Sequence, residues 1–227
     1  MKTLLIVGRW LVLAGLLRAV ALPAADVSFY GIAKLQSFLQ TNAASVVPLP
    51  SNTYAFASFV VTSTNFAVTN ATVQAAGGTL YDLALDTNNG ALLGFTNFFL
   101  TQSELDSAFP TSTGTIIKTP VNYAVTMYTV HDGIRSGGLS FYLLPPLVPI
   151  SAPPTPQIVN FAEAQVIDTT RDFTLQWNNL SGSVTSIVEV VVLDAANNVV
   201  TNSPLPGEPG ALGQNATNFT LAADTLP

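Results

Sequence analysis

The most informative absence in this 227-residue sequence is cysteine, of which there is none. Without thiols the chain can form no disulfide, no thiolate metal site and no cysteine nucleophile. Histidine occurs once, as His131, so the imidazole clusters that bind zinc or copper are missing as well. No G-x-S-x-G motif marks a serine nucleophile on a sharp turn. These absences predict a protein that is not an enzyme, carries no cofactor and has no transition-metal site.

Charged side chains are also scarce. Asp, Glu, Lys and Arg make up 9% of the sequence, against roughly 25% in an average globular protein. The net charge is −6, and without the first 24 residues four basic residues face 13 acidic ones, which gives −9. Four scattered cations cannot form a basic patch, so nucleic acid is not an expected partner. Thr, Asn and Ser stand in place of charge, which favours strands and turns over helices.

The N-terminus has the layout of a secretory signal peptide. A basic start at Lys2 precedes an apolar stretch that Arg9 and Arg18 interrupt. Small residues that suit cleavage follow, namely Ala19, Ala21, Ala24 and Ala25. We expect residues 1–24 to be a signal-peptide helix, removed after Ala21, Ala24 or Ala25, with no membrane span afterwards. A retained anchor and a buried helix of the fold are the alternatives. The expected location is secreted or at the cell surface.

From Asp26 onward, short apolar or alternating runs recur about every 10 residues, which is typical of an all-β sandwich or barrel. Asn89-Gly90 favours a tight hairpin turn. Thr101 with Glu104 three residues later predicts a capping box, with Ser103 as the alternative cap, and one short helix near 102–108, which Pro110 ends. Two long strands are predicted at 121–130 and 138–144, with HDGIRSGG as the turn between them. We assign residues 26–144 to a first antiparallel β-sandwich domain.

A proline-rich segment follows. Residues 145–157 contain six prolines, which exclude a helix or a central strand, so we expect an extended linker and a domain boundary. Beyond it, QIVNF and EAQVID are interpreted as opening strands, and Phe173, Leu175 and Trp177 alternate with polar residues as a half-buried strand does. Residues 158–227 are assigned to a second β-sandwich domain.

From Pro153 onward the sequence resembles fibronectin type III and immunoglobulin-like modules of secreted bacterial proteins. The features that carry the resemblance are the proline-rich entry, FTLQW, VEVVVLD and the closing NFTLAADTLP. The resemblance implies that Trp177 is the core tryptophan and that Leu226-Pro227 begins the corner motif Leu-x-Pro-x-Thr-x-Tyr, without its intervening residue. We therefore expect this domain to be incomplete at its C-terminus and the chain to be a fragment. The first domain is similar to uncharacterised bacterial extracellular β-sandwich modules.

Few residues are candidates for chemistry. His131 with Asp132 could form a catalytic dyad, or could lie at a hairpin tip, where His, Asp and Gly are common. Carboxylate and amide oxygens near the first hairpin are weak candidates for calcium, although their spacing does not fit an EF-hand loop. Those candidates are Asp82, Asp86 and Asn88. A plain turn, and a catalytic carboxylate pair, are the alternatives.

Outward-facing tyrosines are the candidates for ligand binding. Tyr128 and Tyr142, on neighbouring predicted strands, could form a small aromatic platform for a glycan, or could be ordinary cross-strand packing. The sequence thus predicts a secreted, non-enzymatic, multidomain β-sandwich protein with a structural or adhesive role. Its expected partner is a protein or glycan at the cell surface. The alternative is a carbohydrate-binding or accessory module of a secreted carbohydrate-active enzyme.

Overall fold

The computed structural model describes residues 26–75, 78–86, 90–113, 119–141, 154–180, 188–194, 199–204, 209–213 and 215–226. The expected signal peptide and residues 145–153 of the expected linker lie outside these ranges. Within these ranges the secondary structure is mostly antiparallel β-sheet with one short α-helix, which confirms the all-β prediction. None of the helices in the described ranges is long and apolar enough to cross a bilayer.

The longest strands lie before residue 140, and the described strands after residue 154 have three or four residues each. In chain order they are β1 (Val27–Gln36), β2 (Phe38–Gln40), β3 (Val46–Pro48), β4 (Tyr54–Thr62), β5 (Val68–Gln74), β6 (Leu80–Leu85), β7 (Leu92–Phe99), α1 (Gln102–Ala108), β8 (Ser112–Thr113), β9 (Thr119–Pro120), β10 (Tyr123–Thr129), β11 (Ile134–Leu139), a 3-10 turn (Glu163–Gln165), β12 (Phe173–Gln176), β13 (Val191–Leu193), β14 (Val199–Asn202) and β15 (Asn218–Leu221).

Two compact units divide these elements. Among the described residues, the sheet unit contains 26–35 and 54–141, and the Trp177 unit contains 36–53 and 154–226. The hairpin β2–β3 therefore groups with the C-terminal part of the chain, although it follows β1 directly. The division into two β-sandwich domains at 145–157 stays a prediction.

The sheet unit is built on seven strands in the order β1-β4-β7-β6-β5-β10-β11. Alternation of side chains is clearest in β10. In β10, Tyr123, Val125 and Met127 are buried, whereas Tyr128 is exposed on the opposite face. Such period-two burial is what a strand between a core and solvent requires.

Aromatic rings fill the middle of the core of the sheet unit. Phe56 and Phe109 stack with ring centroids 3.9 Å apart, and Tyr123 lies 5.4 Å from the Phe56 centroid. Phe109 is the C-cap residue of α1, and the N-terminus of α1 has the predicted capping box. The Thr101 hydroxyl accepts from the Glu104 amide, and the Glu104 carboxylate accepts from the Thr101 amide at 3.0 Å. The short helix of the prediction is thus confirmed.

The hairpin β10–β11 differs from the prediction. Its turn spans only residues 130–133, because Gly133, with φ of +70°, closes it early and the Thr129 amide donates to the Gly133 carbonyl. The stretch IRSGGL, expected to be mostly turn, pairs with β10 as strand β11. Two adjacent glycines are typical of a turn, but here Gly137 lies in the strand and packs closely against Tyr30, whereas Gly138 faces open space.

The first and last strands of the sheet meet through side chains, in an arrangement that we call the β1–β11 seam. His131 Nδ1 lies 2.8 Å from Asp26 Oδ1. A Cβ atom on Gly137 would lie 1.9 Å from the Tyr30 hydroxyl. Lys34 Nζ lies 5.7 Å from the centre of the Phe141 ring. The contacts advance along both strands in the same direction, so the sheet curls until its two edges face each other.

The described residues of the Trp177 unit form three short two-stranded ladders, β12–β15, β13–β14 and β2–β3. Trp177 is buried at its centre, and its indole N–H donates to the Ala216 carbonyl at 2.8 Å. Its opening differs from the prediction. Ile158 forms only an isolated bridge with Trp177, and Glu163–Gln165 is a 3-10 turn where a strand was expected. The Ala164 amide donates to the Asn160 carbonyl there, which turns the chain away from any strand partner.

Side-chain amides replace missing ladder bonds in the Trp177 unit. Asn160 donates to the Thr174 carbonyl at 2.8 Å and accepts from the Gln176 amide at 2.9 Å. Gln40 from β2 donates to the Ile158 carbonyl at 3.0 Å and accepts from the Ile158 amide at 2.7 Å. A carboxamide offers the same donor and acceptor as a peptide group, so each side chain acts as a one-residue strand partner.

Candidate functional site

The outer face of strands β5, β10 and β11 presents an exposed patch, which we call the Tyr128 patch. Its centre is Tyr128, 41% exposed, whose cross-strand partners are Asn70 on β5 and Ile134 on β11. Ile134 is 68% exposed. Directly opposed side chains on one face lie within contact distance, so these three residues form one continuous surface.

A row of hydroxyl groups runs beside these three residues and completes the patch. Thr126 is opposite Thr72 on β5 and Ser136 on β11, and the Thr126 and Ser136 hydroxyls lie 2.9 Å apart. Asp82 on β6 is in turn opposite Thr72. Thr72 is itself buried, so the exposed patch combines the Tyr128 ring, the Ile134 side chain, the Thr126 and Ser136 hydroxyls and, beyond Thr72, the Asp82 carboxylate.

Strand pairing on both sides makes the patch rigid. β10 pairs with β5 on one side and β11 on the other, and the Thr69 hydroxyl donates to the Tyr128 carbonyl at 3.1 Å. The register with β5 shifts between Tyr128 and Thr129, as at a β-bulge or a similar irregularity that leaves Thr69 of β5 as the extra residue. Bulges re-aim side chains and often lie beside functional sites.

The predicted partner of Tyr128 in the aromatic platform is Tyr142. Tyr142 falls outside the described residues, so the two-tyrosine platform is represented here by Tyr128 alone. The residue that does lie beside Tyr128 is Ile134, which sequence reasoning placed in a turn. Its signal was available in the alternation of Ile134 and Ser136, but the glycine pair masked it.

The candidate calcium residues are spread along one hairpin. Asp82 is exposed on β6, and Asp86 follows the end of that strand, where its amide donates to the Leu92 carbonyl at 2.8 Å. Asn88 lies outside the described residues. In the part of the chain that the structure describes, no three His, Asp or Glu side chains are grouped so as to hold a metal ion.

His131 lies in the β10–β11 turn, as the hairpin-tip interpretation expected, and its imidazole contacts a different carboxylate from the one the dyad hypothesis named. Nδ1 is bonded to Asp26, 105 positions earlier, and Asp26 Oδ2 accepts from the His131 amide at 2.6 Å. Asp132 instead accepts from the Asp26 amide at 3.0 Å. The sequence contained no signal for this pairing, because Asp26 precedes a strand and has no local partner.

Asp26 and His131 each shift the pKa of the other. The hydrogen bonds from His131 hold the pKa of the Asp26 carboxyl below its ordinary value of 3.8. The hydrogen bond to Asp26 raises the pKa of His131 above its ordinary 6.5, and the negative charge of Asp26 adds to the effect. An imidazole oriented by a carboxylate is half of a nucleophile-activating set, which also needs a hydroxyl at the far ring nitrogen.

A second polar cluster lies on the seam. The Lys34 ammonium pairs with Asp106 of α1, and Gln102 donates to Asp106 at 3.0 Å. Nearby, the Tyr123 hydroxyl donates to the Pro110 carbonyl at 2.6 Å. Burial, with a smaller effect from Asp106, raises the pKa of Tyr123. These contacts fasten α1 and the chain after it to the sheet, which is a structural task.

The Tyr128 patch is thus the best candidate for contact with another molecule, and the two ionic clusters bind parts of the fold together. Comparison with known proteins adds no assignment: no protein-family model matches the chain, and searches of curated proteins and of solved structures return no significant match.

Proposed function

We propose that this chain is part of an exported, non-enzymatic β-protein with a structural or adhesive role outside the cell or at its surface, and that the Tyr128 patch is its contact surface. The N-terminal pattern from Lys2 to Ala25 supports export. In this proposal the chain forms two β-sandwich domains, the second of fibronectin type III or immunoglobulin-like type, joined by the proline-rich segment.

One observation carries the proposal: Tyr128 of β10 and Ile134 of β11 are exposed opposite each other on two paired strands. Single exposed apolar residues are common, whereas contiguous exposed apolar surface is a feature of contact sites. A tyrosine supplies a large contact area at little entropic cost, and a rigid sheet has already lost the freedom that binding would remove.

Binding to whole bacterial cells and to immobilised extracellular proteins and polysaccharides tests the proposal. Tyr128→Ala should weaken binding by about tenfold or more, as truncating a central aromatic residue does. Phe98→Ala is the matched control, because Phe98 is also 41% exposed and its neighbours are different. Equal loss in both variants, or hydrolysis of a polysaccharide by the purified chain, would contradict the proposal.

Carbohydrate binding is the second candidate, and the hydroxyl row beside Tyr128 favours it. A sugar ring stacks on an aromatic face and takes hydrogen bonds from neutral polar groups, which the patch supplies through Asn70, Thr126 and Ser136. Tyr128→Phe and Ile134→Ser separate the two candidates. A glycan should tolerate both better than Tyr128→Ala, whereas a protein partner should be weakened strongly by Ile134→Ser.

A further inference from the structure

Asp26, the residue just before β1, uses every polar atom that it has. Its amide donates to Asp132 Oδ2 at 3.0 Å, and its carbonyl accepts from the Ser63 amide at 3.0 Å. Its carboxylate accepts from His131 Nδ1 at 2.8 Å and from the His131 amide at 2.6 Å. The Asp132 amide lies 3.4 Å from the same carboxylate. This set of bonds, the Asp26 clasp, joins β1 to the β10–β11 turn.

The clasp lies at one end of the β1–β11 seam. β1 and β11 are the two edge strands of the sheet, and they meet through Tyr30 against Gly137 and through Lys34 beside Phe141. Of these contacts, only the clasp contains two groups that titrate close to the acidic and neutral ranges, a carboxyl and an imidazole. A change in the charge of the clasp should therefore change how firmly the edge strand β1 is held to the β10–β11 turn.

The surroundings of the clasp are simple. From the turn, Asp132 faces the Asp26 amide, and Arg135 of β11 lies 3.6 Å from Asp132. From the sheet, the β4–β5 connection contributes residues 63–67, none of which titrates. The Asp26 carboxylate is 7% exposed, whereas the His131 ring is 76% exposed. The His131 ring can therefore exchange protons with solvent while it is bonded to the buried Asp26 carboxylate.

We propose that the Asp26 clasp is a pH-sensitive fastening that holds β1 against the β10–β11 turn most firmly in mildly acidic solution and loosens as the solution becomes neutral to alkaline. With His131 protonated, the clasp is an ion pair. With His131 neutral, Nδ1–H still donates to Asp26, but the charge is gone and only a neutral hydrogen bond remains.

The direction follows from the two shifts. The pKa of His131 is raised, so its contribution to stability is complete below 6.5 and is lost as the pH rises through the folded-state value. The pKa of Asp26 is lowered, so its contribution is present above 3.8 and is lost as the pH falls through the folded-state value. The clasp is therefore strongest between these two transitions. Salt should weaken it, because the ring is exposed.

The single histidine makes the first test direct. In the full chain, NMR titration of the imidazole should give one midpoint, above 6.5, and Asp26→Asn should move that midpoint down. An unchanged midpoint in Asp26→Asn would overturn the proposal, because it would mean that the Asp26 carboxylate does not affect the protonation of the His131 ring.

Hydrogen exchange of β1 amides is the second test, and it reports on the strand itself. Protection factors, corrected for the intrinsic rate at each pH, should fall in the wild type between about pH 5.5 and about pH 8.5, either side of the imidazole range. His131→Gln keeps a neutral donor and cannot be protonated, so its β1 protection should stay at the lower level throughout. A pH-dependent fall of the same size in His131→Gln would overturn the proposal.

Discussion

The two units of this chain satisfy their backbones by different means. In the sheet unit, long strands pair with each other, and β10 has a partner on each side over most of its length. In the Trp177 unit the described ladders are three or four residues long, and carboxamide side chains such as Asn160 supply bonds that a strand would otherwise make. Both units nonetheless bury a continuous apolar core.

The comparison shows that hydrophobic burial and regular pairing are separable. A buried peptide group needs a partner, but the partner can be another strand or a side chain of the same chemistry. The scarcity of charge and the abundance of Asn and Thr suit the second solution. We expect the sheet unit to depend most on its aromatic packing and the Trp177 unit to depend more on individual polar side chains.

The largest effect should come from breaking the aromatic core of the sheet unit. Phe56 is fully buried and stacked on Phe109, so Phe56→Ala should lower the free energy of unfolding by about 3–5 kcal/mol. Urea denaturation followed by peptide-resolved hydrogen exchange would measure it and show in which unit protection falls. Phe98→Ala, on the exposed face, is the control, and a loss of similar size there would refute the core assignment.

Overpacking the seam should have the next largest effect. Gly137→Ala places a methyl group against the rigid ring of Tyr30 and should cost about 1–3 kcal/mol. The adjacent Gly138 has no atom within 4 Å of the position its Cβ would occupy, so Gly138→Ala should be nearly neutral. Thermal melting of both variants checks the pair. Equal melting temperatures would show that the two edge strands do not meet as described.

The amide contacts of the Trp177 unit give a smaller but more specific test. Asn160→Ala removes two hydrogen bonds to β12, one partly buried and one exposed, and should therefore cost only about 1–2 kcal/mol. Asn160→Asp keeps the acceptor and loses the donor, so its effect should be intermediate. Exchange of the Gln176 amide, which bonds only the acceptor, should rise in Asn160→Ala and change less in Asn160→Asp. The same exchange rate in both variants would contradict the strand-partner role.

The smallest effect concerns one hydroxyl group. Tyr123→Phe removes the bond to the Pro110 carbonyl without changing the buried ring, and should cost about 1 kcal/mol. Tyr128→Phe is the control on the exposed face of the same strand and should leave stability unchanged. Chemical denaturation of both variants measures the difference, and an equal cost for the two would mean that the buried hydroxyl contributes nothing.

The sequence predicts local features of this fold well. The alternation in β10, the capping box at Thr101 and the hairpin between β6 and β7 depend on residues close in the chain, and each is present. The glycine pair at 137–138 misled the prediction of β11, because the absence of a side chain has two causes, a turn or close packing, that look alike in a sequence.

Contacts between residues distant in the chain could not be predicted from the sequence. Asp26 meets His131 only because the sheet curls, and the curl depends on the order and register of seven strands. Likewise, Gln40 meets Ile158 across 118 positions, and no local pattern marks a glutamine that will act as a strand. Of the candidate site, Tyr128 was identified from its alternation, whereas Ile134 and Asn70 became its neighbours only through strand pairing.

The side-chain amides that act as strand partners also make the Trp177 unit sensitive to deamidation. Asparagine and glutamine are among the thermolabile side chains, and hydrolysis converts the amide into a carboxylate. At Asn160 that reaction would remove the donor to the Thr174 carbonyl and place a negative charge beside it. A sample stored warm would therefore lose order first in the Trp177 unit, even while every peptide bond and every apolar contact of the sheet unit stayed intact.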